Sequence, residues 1–147
     1  MGYAISWVAI KGKSKEDILK FFSFSETADT EEVPESDISA AELPSGWYLI
    51  WFNQFESPFT HAAVVSKLSQ DCAVITCAVE EHVMYSRTEY WEYGSQTWKI
   101  IHDSQTGIYD LQVSGIAPDF FEPLKSETYA QQQAEGGEDA DVDLIFD

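Results

Sequence analysis

The chain has 147 residues, of which 44% are hydrophobic and 14% aromatic, enough for one domain with a buried core. It carries 26 acidic against 8 basic residues, a formal net charge of −18. A surface of that sign repels nucleic-acid phosphate and anionic lipid headgroups and attracts basic partners, so neither a nucleic acid nor a membrane surface is an expected partner. No apolar run approaches the roughly 18 residues that a spanning helix needs.

In chain order, Tyr3 to Ile10 alternates in a way that predicts a first strand, apolar on both faces. Lys11-Gly12-Lys13 is a turn. Ser14 can cap a helix that starts at Lys15 and buries Ile18, Leu19 and Phe22. Half of the eight basic residues (Lys11, Lys13, Lys15, Lys20) lie in this N-terminal lobe. Residues 26–42 read as an acidic loop without a basic residue, with Pro34 breaking any helix. Pro44-Ser45-Gly46 turns the chain into a second strand, Trp47 to Phe52. Ser57 and Pro58 then start a second helix that runs to about Ser69, with His61 on its surface.

The densest run of strand-forming residues lies between Cys72 and Ser104. Its odd positions, Ala73, Ile75, Cys77, Val79 and Val83, make an apolar face that also carries Glu81. One strand from Cys72 to Tyr90 would span about 60 Å, too long for a domain of this size. A bulge or bend is therefore expected at Glu80-Glu81-His82. A hairpin turn at Tyr93-Gly94-Ser95-Gln96 leads to a strand from Thr97 to Ser104. Trp98, Ile100 and His102 share one face of it, which turns His102 inward. A further strand is expected over Ile108 to Val113. A helix follows from Asp119 to Ala134, broken or kinked at Pro123 and stopped by Gly136-Gly137. The acidic C-terminal segment, residues 135–147, ends in Leu144-Ile145-Phe146, which argues for docking as a last strand. The whole reads as one α+β domain over residues 1–147: a mainly antiparallel sheet with two or three helices packed largely on one face.

Candidate functional residues fall into two groups. Glu31, Glu32, Glu35 and Asp37 of the acidic loop can steer and pair with a basic surface. Glu81, His82 and His102 lie in the central strands. If neighbouring strands bring Glu81 to His102, a buried carboxylate beside a histidine gives the perturbed pair that acid–base chemistry uses. The bland alternative is a solvent-facing Glu81 and a His102 that makes one structural hydrogen bond. His82, His102, Glu81 and Asp103 lack the local spacing of a metal site, so no metal and no cofactor are expected. Cys72 and Cys77 would lie on opposite faces of one strand, about 16 Å apart, and read as reduced core residues of a cytoplasmic protein. No P-loop, GxGxxG, GxSxG or HExxH motif is present, and no catalytic residue is assigned.

The segments GYAISWVAIKGKSKEDIL, ELPSGWYLIWFN, VEEHVMYSRTEYW and TWKIIHDS resemble those of a family of small, uncharacterised bacterial proteins. The resemblance covers most of the chain and is most distinctive over Val79 to Met84 and Trp98 to Asp103. It implies a cytoplasmic bacterial protein and brings no activity with it. In size, acidity and aromatic content the chain is also similar to immunity proteins that neutralise bacterial toxins. The expectation is an acidic protein-binding module, an immunity-type inhibitor of a basic partner, as monomer or homodimer. The alternative is a small enzyme or ligand-binding protein with Glu81 and His102 in a pocket.

Overall fold

A computed structural model describes residues 2–147 as three helices and a seven-stranded antiparallel sheet, an α+β fold. The strands are β1 (Ala4–Lys11), β2 (Ile38–Glu42), β3 (Tyr48–Phe52), β4 (Ala73–Glu80), β5 (Tyr85–Glu92), β6 (Ser95–Asp103) and β7 (Gln112–Gly115). Their order across the sheet is β2-β3-β1-β4-β5-β6-β7. The helices are α1 (Lys15–Phe22), α2 (Ala62–Leu68) and α3 (Phe121–Ala134).

The central strand β1 pairs with β3 on one side and β4 on the other, setting Val8 beside Ile50 and Thr76, and Ile10 beside Tyr48 and Val74. These residues form one face of the sheet. The face is closed by Ile18 and Phe22 of α1 and Val65 and Leu68 of α2. Each such side chain contributes about 1.5–3 kcal/mol by leaving water. Phe22, Phe24, Phe52 and Phe59 pack ring against ring at its edge. Ser14 caps α1 as its sequence suggests, accepting the Asp17 N–H at 3.2 Å.

The apolar odd positions of β4 are not the deeper face. Val74, Thr76 and Ala78 are buried under α1 and α2, whereas Ile75, Cys77 and Val79 are half-buried on the opposite side. Both sets are apolar enough for either role, and the placement of the helices decides. Glu89 of β5 lies on the Thr76 face, where Thr76 Oγ1 and Gln96 Nε2 donate to its carboxylate at 2.9 and 2.8 Å.

The opposite face carries Thr88 of β5 and Trp98, Ile100 and His102 of β6, and here α3 and the C-terminal tail sit. The sheet thus has α1 and α2 on one side and α3 on the other.

Several expected boundaries shift for local reasons. The acidic stretch is a loop only as far as Asp37; its last five residues pair with β3 as β2. The second helix is interrupted. Ser57 caps a single 3-10 turn, Pro58–Thr60, and His61 is extended at the start of α2, exposed. Strand β7 starts at Gln112, because Gly107 to Leu111 forms turns instead. Pro123 falls in the first turn of α3, where no backbone donor is lost, so it breaks nothing. The β5–β6 hairpin turns on Tyr93 (φ 54) and Gly94 (φ 73), the two positive angles of a type I′ turn. The tail does not form a strand; it closes in a turn over residues 144–146.

Candidate functional site

The acidic loop is an ordered element. The Glu31 carboxylate accepts the backbone N–H groups of Glu35 and Ser36 at 3.2 and 3.1 Å and the Ser39 hydroxyl at 2.7 Å, and it also takes the Ser36 hydroxyl. The Ser36 hydroxyl, followed by that of Ser39, holds this carboxyl below the usual glutamate range. From the sheet side, Asn53 Nδ2 donates to the carbonyls of Pro34 and Ser36 at 3.1 and 2.5 Å. Trp51 Nε1 donates to Asn53 Oδ1 and fixes the amide the right way round. Glu31 is therefore the residue that builds the loop, and its lone pairs are already taken. Glu32, Glu35 and Asp37 are the acids that face solvent.

Beside the loop, β2 is the edge of the sheet. The bonds Asn53 N–H to Asp37 O and Leu43 N–H to Trp47 O set the alternation of the ladder. By that alternation Ile38, Ala40 and Glu42 direct their N–H and C=O groups away from β3. The strand holds no proline, lysine or bulge.

The Glu80-Glu81-His82 break lies where the strand length requires it. β4 ends at Glu80, a 3-10 turn covers Glu81–Val83, and Met84 (φ 50) redirects the chain into β5. The expected pair of Glu81 with His102 does not form. Glu81 accepts the Tyr3 N–H on its side chain at 2.6 Å, and its own N–H donates to the Tyr3 carbonyl at 2.8 Å, extending the β1–β4 ladder. Glu80 takes His82 instead, through Nδ1 at 2.6 Å and the backbone N–H at 3.2 Å. The His82 side-chain bond is the main reason the Glu80 carboxyl lies below its usual range. His82 is exposed.

His102 does face inward, only 2% exposed, but its partner is Asp143. Nδ1 lies 2.7 Å from the Asp110 carbonyl, and a carbonyl can only accept, so Nδ1 carries a proton. Nε2 lies 2.7 Å from Asp143 Oδ2. Two bare acceptors at that distance repel, so a second proton sits between Nε2 and Oδ2. The other oxygen, Oδ1, accepts the N–H groups of Ile145 and Phe146 at 3.1 and 3.0 Å and shapes the terminal turn. Gln132, fully buried on α3, completes the clamp. Its Nε2 donates to the carbonyls of Gly137 and Val142, and its Oε1 accepts the Leu144 N–H at 2.8 Å. The acidic tail is thus tied to the sheet by Asp143 and to the helix by Gln132.

This arrangement leaves a cleft between α3, the tail and the floor of β5 and β6. Two adjoining cavities, about 230 and 420 Å³, share Thr88, Ile100, Leu111, Leu124, Thr128 and Ile145. Trp98 and Lys125 line one; Ser86, His102 and Asp147 line the other. Among the described residues no group of three His, Cys, Asp or Glu side chains is placed to hold a metal ion. Cys72 and Cys77 are free thiols, both pushed up mainly by burial. No described helix is long and apolar enough to cross a membrane.

Asp143 and Gln132 escape a reading of the sequence because their partners are distant or carry no pattern. Asp143 lies 41 residues from His102. Its local signal is an aspartate two and three residues before amides that need an acceptor. A scan of protein-family models, the curated proteins and the solved structures finds no match for this chain.

Proposed function

We propose that this protein is a binding module that occludes a basic surface of another protein, in the manner of an immunity-type inhibitor. The observation that carries the reading is the loop pinned by Glu31 and Asn53, which presents Glu32, Glu35 and Asp37 to solvent. A loop ordered beforehand loses less conformational entropy on binding. No lysine or arginine occurs between Lys20 and Lys67, and none of the ion pairs among the described residues involves Glu32, Glu35 or Asp37. The open edge of β2 offers the same partner three rungs of backbone donors and acceptors, the mode in which an extended segment adds to a sheet.

An enzyme built on Glu81 and His102 has no geometric support, since Glu81 closes the β1–β4 ladder and His102 is committed to Asp143. To test the binding reading, immobilised protein and its E32Q/E35Q/D37N variant are offered the same bacterial lysate. A basic protein should be retained by the unaltered chain and lost from the variant. Its association rate should fall at least roughly tenfold from low to high salt, as steered encounters do. A rate insensitive to salt removes the steering mechanism.

A further inference from the structure

Helix α3 is held by Phe121 and Gln132 near its ends and by Tyr129, whose hydroxyl donates to the Tyr109 carbonyl at 2.6 Å, yet an apolar gap remains between it and the sheet. Phe121 and Gln132 are its buried residues, and they are separated by about 16 Å of helix. In between, Leu124 is 54% exposed, and the floor beneath, Trp98 and Ile100, is only half-buried. A helix packed down on a sheet would cover this apolar floor. Here it spans the floor instead, and the exposed Phe120 at one end continues the apolar wall to the outside. Stacking of Tyr90 on Trp98 (centroids 6.0 Å, planes 16° apart) and the Asp143 and Gln132 clamp hold floor and tail in place around the gap.

We infer that this cleft is a binding site for a small, uncharged, largely apolar molecule of one or two rings or an equivalent short chain. The lining decides the class. Trp98, Ile100, Leu111, Leu124 and Ile145 supply an apolar body contact, and the Thr88 and Thr128 hydroxyls supply polar anchors. The larger cavity alone, about 420 Å³, already lies within the range of small-molecule sites, roughly 300–1,000 Å³. A charged ligand is disfavoured on two grounds. The apolar floor penalises either sign. An anion also meets a chain of net charge −18 and Asp147 at the rim, while Lys125 has its Nζ over the Tyr129 ring at 5.5 Å and His102 is already bonded to Asp143. This site is separate from the acidic loop, which lies at the other end of the sheet.

The test uses two fluorescent probes of similar size on the full chain: neutral N-phenyl-1-naphthylamine and the anionic anilinonaphthalene sulfonate. The neutral probe should bind saturably, one per chain, and at least fivefold more tightly than the sulfonate. The gap-filling variant T128F should weaken it at least tenfold while near-ultraviolet circular dichroism stays native. If T128F does not fold, the wild-type methyl spectrum still decides. Bound probe should shift Thr88, Ile100, Leu124 and Thr128 and leave the Ile10, Ile50 and Val65 methyls on the opposite face of the sheet unmoved. Absent saturation, equal affinity for both probes, shifts centred elsewhere, or undiminished binding to folded T128F would each overturn the assignment.

Discussion

Replacing Asp143 separates a structural lock from an incidental contact. D143A removes the partner of a histidine that is 2% exposed and, with it, the acceptor of two backbone N–H groups. Breaking a buried ion pair by deleting one member costs about 3–5 kcal/mol, because the remaining group is left without compensation. The tail can relieve part of that by detaching, which exposes Leu144, Ile145 and Phe146, already half-buried. The expected loss in stability is therefore about 3 kcal/mol, near the low end of that range. D143N is the discriminating variant. With Nδ1–H directed at the Asp110 carbonyl, neutral His102 offers a lone pair at Nε2 to the new amide, and the asparagine oxygen still accepts two N–H groups. It should cost only about 1 kcal/mol, the scale of one altered hydrogen bond. Urea unfolding followed by tryptophan fluorescence measures both, and a double-mutant cycle with H102A should return a coupling of at least roughly 1.5 kcal/mol. If D143A and D143N are equally mild, or the coupling vanishes, the tail is not held by this pair and the proton assignment fails.

Two further outcomes follow from local geometry. At Gly115 (φ +77) an added Cβ would lie 2.1 Å from the Thr97 carbonyl oxygen, so G115A should detach β7 from β6 and destabilise the protein by about 2 kcal/mol or more in the same assay. A G115A protein as stable as the parent would show that this edge is not packed as described. The Glu31 carboxyl is lowered by its loop hydrogen bonds, so its stabilisation is full above the ordinary glutamate range, about pH 4.3 and upward, and is lost as pH falls through its lower folded value. The Ser36 amide shift should titrate with a midpoint below that of a free glutamate, and E31Q should abolish the titration. A midpoint at or above the ordinary value would contradict the pinned loop.

The parts of this fold legible in the chain are those decided by neighbours in sequence. Ser14 as a cap, the break at Glu80-Glu81-His82 and the inward turn of His102 all rest on spacing within a few residues. The face of β4 was not legible, because Ile75, Cys77 and Val79 are as apolar as Val74, Thr76 and Ala78, and helices from elsewhere choose between them. The partner of His102 was beyond reach for the same reason: Glu81 and Asp143 are equally good carboxylates, and only the folded tail selects one. Within the acidic loop, charge alone could not tell Glu31, which builds the loop, from Glu32, Glu35 and Asp37, which face outward.

The bare edge of β2 has a consequence for the solution behaviour of the protein. The shape of this edge allows two copies to join strand to strand, and mutual repulsion between chains of net charge −18 opposes it. That protection vanishes near the isoelectric point of about 4.2, where open edges become seeds for stacking. A basic partner that neutralises the neighbouring loop would weaken the same repulsion at neutral pH. Where it leaves β2 uncovered, complexes at high occupancy should grow beyond one-to-one, so that partner concentration governs the size of the assembly.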